Sequence, residues 1–244
     1  MKHYQLRLCN MLYIVATPIG NLEDISIRAI SVLRSADFIL AEDTRVTRIL
    51  LDKYNIKIPV ISYHQHSQLQ KIEQIIGLLK EGKNLALVSD AGTPGINDPG
   101  NYLVTKALEA IPDLKIVPIP GPNAAIAALS VSGFPTDKFM YLGFPPHKKG
   151  RQTFFKKIGE IDETIVFYES KHRILKALGE LKEIAQIGER QIVVARELTK
   201  QFETIYRGNI DEIMLKLSKN KNDLLGEFVV VVGPGEKDKN NEEE

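Results

Sequence analysis

Ser89 to Gly100 packs three glycines, two prolines and two aspartates into twelve residues, a composition suited to holding a polar small molecule. Glycine lets a ligand approach the main chain closely. Proline removes conformational freedom before binding, so backbone N–H and C=O groups stand ready. Two other segments share this character: Ala16-Thr17-Pro18-Ile19-Gly20-Asn21 and Ile119-Pro120-Gly121-Pro122-Asn123-Ala124. For Gly20 alone a simple turn is the favoured reading. The segment ending at Ala124 reads equally well as a hinge running into a closely packed, alanine-rich helix, whose N-terminus would favour an anion. None of the three matches G-x-G-x-x-G, and G-x-x-x-x-G-K-[ST] does not occur, which argues against a Rossmann dinucleotide enzyme and a P-loop NTPase.

Acid and base chemistry has its own candidates. Glu42, Asp43, Thr44 and Arg45 form one polar group, His64 and His66 a second, and Glu169, Ser170, Lys171, His172 and Arg173 a third. Each group contains a side chain able to accept a proton or orient a substrate. Asp43 or Thr44 serves equally well as the N-cap of a following helix. The two histidines have no third ligand at close spacing, so no metal site is expected. The single cysteine, Cys9, excludes an internal disulfide and every multi-cysteine zinc site.

From Lys138 to Gly159 there are six Lys or Arg and no Asp or Glu. Within this stretch Lys148, Lys149 and Arg151 lie in a glycine- and proline-bearing loop, and Lys156 and Lys157 follow on a helix. Phosphate backbones are the natural counterpart of such a run. The alternative is a solvated charged surface.

These residues need a scaffold that brings loops together. Short β-branched runs at Leu12–Ala16, Phe38–Ala41, Val60–Tyr63, Leu85–Ser89 and Lys115–Ile119 alternate with helix-period segments, as in βαβ units. The loops above follow these runs, and in open α/β sheets ligands sit beyond the carboxyl ends of the strands. After Pro122 a second series of strands begins, at Phe139–Gly143, Thr164–Tyr168, Gln191–Glu197, Thr204–Arg207 and Glu227–Val232. Too few residues separate Glu197 from Thr204 for a helical crossover, so that pair predicts an antiparallel hairpin and a mixed second sheet. The expected organisation is α/β with two domains, residues 11–120 and 121–235, flanked by disordered segments 1–10 and 236–244.

At 244 residues, with 43% hydrophobic and 26% charged residues, the chain has the composition of a globular protein large enough for two domains. A net charge of +1 asks for neither nucleic acid nor an anionic membrane, so charge arguments must be local. No apolar run approaches the roughly 20 residues needed to span a bilayer, and residues 1–10 lack the core of a signal peptide. A cytoplasmic protein is expected.

Five motifs taken together are recognisable: Val15-Ala16-Thr17-Pro18-Ile19-Gly20-Asn21-Leu22, Ala41-Glu42-Asp43-Thr44-Arg45, Ser89-Asp90-Ala91-Gly92-Thr93-Pro94-Gly95-Ile96, Pro120-Gly121-Pro122-Asn123-Ala124, and Phe167-Tyr168-Glu169-Ser170 with His172-Arg173. The chain resembles the tetrapyrrole (corrin/porphyrin) methylase superfamily, in its ribosomal RNA small subunit methyltransferase I branch, from about residue 11 to 233. The resemblance implies a homodimeric enzyme that binds S-adenosylmethionine in a cleft between two domains. Its implied reaction is methylation of a cytidine ribose 2′-hydroxyl in the decoding region of 16S rRNA of the small ribosomal subunit.

The family's donor-binding pattern falls on Pro18, on Ser89, Asp90, Ala91, Gly92, Thr93, Pro94, Gly95 and Ile96, and on Asn123 and Ala124. In the second domain it falls on Phe167, Tyr168, Ala195 and Gly226. Glu42, Asp43, Arg45, His64 and Glu169 are the catalytic candidates, and Lys148, Lys149, Arg151, Lys156 and Lys157 the RNA contacts. Lys171 stands where the family pattern has proline, so the backbone around Glu169 and Arg173 can differ from it.

Overall fold

The computed structural model describes residues 10–64 and 69–235. His66, Cys9 and the segments 1–9 and 236–244 lie outside them. The chain separates into two compact units, with the division between Asn123 and Ala124.

The first unit carries strands β1 (Met11–Val15), β2 (Phe38–Ala41), β3 (Val60–Ser62), β4 (Leu85–Val88) and β5 (Lys115–Ile119) in the order β3-β2-β4-β1-β5. Every pairing is parallel, and β1 lies between β4 and β5. Crossovers are made by α1 (Ile27–Ser35), α2 (Thr44–Lys53), α3 (Leu69–Lys80) and α4 (Gly100–Ala110). Their apolar residues recur at helical spacing and divide between two faces. Ala29, Leu33, Leu50 and Leu51 from α1 and α2 pack with Val15, Ile39, Ala86 and Val88. Ile72, Ile75, Leu79, Leu103 and Ala107 from α3 and α4 pack with Leu12, Leu40, Leu85 and Leu87. Strands buried on both faces must be apolar throughout, as Leu85-Ala86-Leu87-Val88 is. The chain leaves β1 toward β2 along one face and leaves β4 toward β5 along the other. Neighbouring β1 and β4 therefore flank the place where the winding reverses, where an open α/β sheet gathers its ligand.

The second unit begins with α5 (Ala124–Ser130) and holds β6 (Phe139–Tyr141), α6 (Arg151–Gly159), β7 (Thr164–Ser170), α7 (Ile174–Lys182), α8 (Ala185–Gly188), β8 (Ile192–Arg196), β9 (Thr204–Gly208), α9 (Ile210–Lys219) and β10 (Glu227–Val232). Its sheet has the order β6-β7-β10-β8-β9. Only β6 and β7 pair in parallel, and β8 and β9 form the antiparallel pair expected from their short connection. The core of this unit sets Phe155 and Ile158 of α6, Leu178 and Leu181 of α7 and Ile213 and Leu217 of α9 against Ile165, Phe167, Val194, Val230 and Val232. Among the described residues no helix is long and apolar enough to cross a membrane.

Candidate functional site

In the first unit the glycine- and proline-rich loops gather at the β1–β4 junction. Thr17 and Gly92 exchange main-chain hydrogen bonds of 2.9 and 3.1 Å, joining the loop after β1 to the loop after β4. The buried Thr17 hydroxyl donates to the Ser89 carbonyl at 2.9 Å, and the Ser89 hydroxyl donates to the Gly92 carbonyl at 3.0 Å. The loop after β5 closes on both. A Cβ at Gly121 would lie 2.9 Å from the Cβ of Ala16, and the Thr93 hydroxyl donates to the Pro122 carbonyl at 3.2 Å. The three segments singled out by composition are therefore one rigid cluster, with Pro18 buried inside it.

Asp98 organises the far end of the β4 loop. Its Oδ1 accepts from the N–H groups of Gly95 at 2.6 Å and Gly100 at 2.7 Å, at the start of α4. Gly95 has φ +85°, so glycine is needed where the chain turns toward Asp98. Asp98 belongs to the machinery of this loop although no sequence motif singled it out. The signal was an Asp two residues before the first helical position, where a carboxylate meets free N–H groups.

Around this cluster stand the acid–base candidates. Glu42, half-buried after β2, has its carboxyl pushed above the ordinary range by burial and by the negative charges of Asp90 and Asp98, with His64 acting in the opposite sense. The structure thus brings Glu42, Asp90, Asp98 and His64 together. Asp43 and Arg45 take a different part. Asp43 is the N-cap of α2, accepting from the Arg45 N–H at 2.8 Å, while the Arg45 guanidinium reaches its carboxylate at 2.6 Å. That bond to Arg45 holds the Asp43 carboxyl down at about 2. A carboxylate so readily ionised is a weak base, and Arg45, with a side chain 89% exposed, is occupied in the cap. Thr44 is the first helical residue and not the cap. Among the described residues no cluster of three or more His, Cys, Asp or Glu has the geometry to hold a metal ion.

In the second unit the expected donor residues are distributed unevenly. The Tyr168 hydroxyl accepts from the Ala125 N–H at 3.2 Å, and its ring meets those of Tyr141 and Phe144 with centroids 5.5 and 5.2 Å away. Burial raises the phenol pKa of Tyr168. Phe167 and Ala195 are fully buried, Phe167 within the main core of this unit. Gly226 has φ +108°, and a Cβ there would collide with the side chain of Glu197. The left-handed backbone at 226 and the Glu197 side chain beside it both favour glycine there, so the residue has a structural reason of its own.

The basic segment divides sharply. Lys148, Lys149, Lys156 and Lys157 are exposed, whereas Arg151 is 3% exposed. Its Nε and Nη2 each lie 2.7 Å from Oε2 of Glu180, and Nη1 donates to Oε2 of Glu169 at 3.2 Å. Nη2 makes its contact as an ion pair without good hydrogen-bond geometry. Glu169, with a side chain 0% exposed, also receives Arg173 at 2.9 Å and the Ser170 N–H at 2.7 Å. A candidate base and a candidate RNA contact are thus the two halves of a buried ion pair. Helical spacing carried a signal for this, because Arg151, Phe155 and Ile158 share the buried face of α6. Strand alternation carried another, because Glu169 follows Ile165 and Phe167 on one face of β7. Beside the pair a cavity of about 420 Å³ is lined by residues 147–153 together with Lys176 and Glu180.

Residues 11–214 match the family model of the Tetrapyrrole (Corrin/Porphyrin) Methylases. The chain belongs to the tetrapyrrole methylase family. Among its relatives, the ribosomal RNA small subunit methyltransferase I of Escherichia coli O157:H7 is 48% identical over 223 residues, covering 91% of this chain and 77% of that one. That of Thermotoga maritima is 47% identical, covering 91% and 97%. Solved structures of the family fold include the methyltransferase CobJ, with TM-score 0.65 at 21% identity over 92% of this chain and 94% of that one. Diphthine synthase has TM-score 0.69 at 16% identity, covering 91% and 90%. At these identities the structural likeness concerns the tetrapyrrole methylase fold alone. The high sequence identity places the chain in the methyltransferase I branch of the family.

Proposed function

We propose that this chain transfers a methyl group from S-adenosylmethionine to the ribose 2′-hydroxyl of a cytidine in the decoding region of 16S rRNA, acting in the cytoplasm as a homodimer. Methylation of small-subunit rRNA rests on 47–48% identity, across nine-tenths of the chain, to relatives bearing that activity in their names, and S-adenosylmethionine as the donor on membership of the tetrapyrrole methylase family. The choice of the cytidine 2′-oxygen, the dimer and the cytoplasmic location are our reading. The observation that carries it is the fusion of the Thr17, Gly92 and Gly121 loops into one rigid cluster at the β1–β4 junction, beside three carboxylates.

The donor set fits the donor. Burial first, and then the negative charges of Asp90 and Asp98, raise the Glu42 carboxyl, and carboxylates gathered in this way suit a sulfonium cation and oppose the phosphates of a dinucleotide. The loops at Pro18, Ser89 to Ile96 and Asn123 would hold it. Bound there, S-adenosylmethionine supplies a methyl carbon already activated for attack by an oxygen.

The chain itself has three tasks. Its rigid loops align the reacting groups, which is the main source of rate when the methyl is pre-activated. Its buried loop contacts exclude water. Glu42 accepts the proton leaving the ribose hydroxyl as the new C–O bond forms and the C–S bond breaks, its raised pKa bringing it nearer to a useful base strength. Exposed Lys148 and Lys149 meet the RNA phosphates.

The deciding experiment supplies tritiated donor to small ribosomal subunits from a strain lacking this gene, followed by nuclease mapping of the labelled nucleotide. Label in a decoding-region cytidine that resists alkaline hydrolysis supports the reading. Label only in a porphyrinoid precursor would make the chain a tetrapyrrole methylase, and no label in either would leave a ribosome-binding factor.

A further inference from the structure

We infer that Arg151 and Glu169 are positioning residues, a buried pair that holds the basic loop 143–150 against strand β7 and so sets where its lysines meet RNA. The inference rests on the rRNA reading for its substrate and goes beyond it in assigning both residues.

The loop is fastened to two successive residues of β7. At its start the Tyr168 N–H donates to the Gly143 carbonyl at 2.8 Å, and the ring of Phe144 lies 5.2 Å from that of Tyr168. At its end Arg151 binds Glu169 at 3.2 Å and also donates to the Pro146 carbonyl, within the loop, at 3.3 Å. Adjacent strand residues point to opposite faces, so Tyr168 and Glu169 secure the loop from both sides of the sheet.

The chemistry of the pair explains why arginine stands there. One guanidinium simultaneously meets Glu180, Glu169 and a carbonyl, and lies 5.0 Å over the Phe155 ring. Lysine keeps the charge but lacks the planar fork that fixes those directions. Glu169 is fixed in turn by Arg173 and the Ser170 N–H, with no exposed surface for a substrate. A buried ion pair is a weak source of stability compared with an apolar contact, whereas its directional bonds specify geometry. What it orients is visible. Lys148 and Lys149 stand exposed at the rim of the 420 Å³ cavity, with no carboxylate partner among the described residues.

The test uses the full chain with a decoding-region 16S rRNA fragment and measures RNA affinity across a salt series, beside S-adenosylhomocysteine affinity by calorimetry. Arg151→Lys preserves charge and Glu169→Gln makes the region more positive, so a purely electrostatic role predicts unchanged or tighter RNA binding. Positioning predicts weaker binding in both, on the order of tenfold, with unchanged donor affinity and an unchanged slope against salt. Each of Lys148→Ala and Lys149→Ala instead lowers that slope by about 0.7, the value for a single-stranded phosphate contact. Faster amide exchange across residues 143–151 in Arg151→Lys gives a second readout should Glu169→Gln fold poorly. Unchanged or tighter RNA binding by the folded Arg151→Lys variant overturns the inference. If the wild-type chain binds no RNA, the rRNA reading falls first and takes the inference with it.

Discussion

The main-chain N–H of Asp43 donates to Oδ1 of Asp90 at 2.9 Å, tying the loop after β2 to the loop after β4. The bond draws the Asp90 carboxylate toward Glu42, the residue before Asp43, and Asp90 is the largest charge acting to raise the Glu42 carboxyl. Two loops remote in sequence thereby add to burial in raising the base strength of one side chain.

A pH profile follows. As a base, Glu42 must be ionised, so the methylation rate rises with pH through its raised pKa and the acid limb lies above the usual glutamate range. Asp90→Asn removes a negative neighbour and moves that limb to lower pH. Burial, the larger cause, remains, so the limb stays above the ordinary value. Glu42→Gln abolishes the limb and slows single-turnover methylation by about 10² to 10⁴-fold. Rates measured from pH 5 to 9 at saturating donor and RNA check all three outcomes.

The same shift has a sign for stability. A carboxyl whose folded pKa exceeds its unfolded pKa favours folding when protonated, and that contribution is lost as pH rises through the folded value. Glu42→Gln should therefore raise the melting temperature at pH 8 and change it less at pH 4. Thermal unfolding at the two pH values measures the difference.

Much of this was legible in the sequence. Each strand of the described residues falls within a run of β-branched, aromatic or other apolar residues marked in the sequence or overlaps one, and β2, β5 and β10 begin and end at the residues those runs mark. The three Gly/Pro loops were recognisable because turns with special backbone demands need special residues. What local reading could not disclose is partnership across distance. Arg151 sits in a run of cations, and although its helical spacing places it on the buried face of α6, its acidic partners Glu169 and Glu180 lie 18 and 29 residues away. Asp43 was readable as a helix cap, but the bond from its own N–H to Asp90, 47 residues away, was not, and neither was the bond from the Gly95 N–H to Asp98.

Two glycine substitutions separate loop geometry from helix propensity. A Cβ on Gly100 would lie 2.8 Å from the Gly95 nitrogen and 2.9 Å from Oδ1 of Asp98, displacing the carboxylate that organises the β4 loop. Gly77, within α3, has nothing within 4 Å of that position. Gly77 lies inside its helix, where propensity favours alanine by about 1 kcal/mol, whereas Gly100 is the first residue of α4, where that preference is weaker. Gly77→Ala should stabilise by about 0.5–1 kcal/mol and leave donor binding unchanged. Gly100→Ala should lose at least tenfold in S-adenosylhomocysteine affinity, a cost of about 1.4 kcal/mol. Calorimetry and urea unfolding on the two variants distinguish the effects.

Phe167 tests where the donor site ends. The family pattern places it at the donor, yet its side chain is fully buried against Phe154 and Phe155, with ring centroids 6.2 and 6.3 Å away. Neighbouring Tyr168 faces the other side of the strand, where it accepts from Ala125. Phe167→Ala should cost about 3–5 kcal/mol through the transfer and cavity terms of a large buried side chain. Phe167→Leu keeps most of the volume and should cost far less, while Tyr168→Phe removes only the hydroxyl that receives the Ala125 N–H. If Phe167 acts through the core alone, Phe167→Leu binds S-adenosylhomocysteine as tightly as wild type at a temperature where both are folded. A tenfold loss in that variant, with its stability retained, would move Phe167 from the core to the donor site.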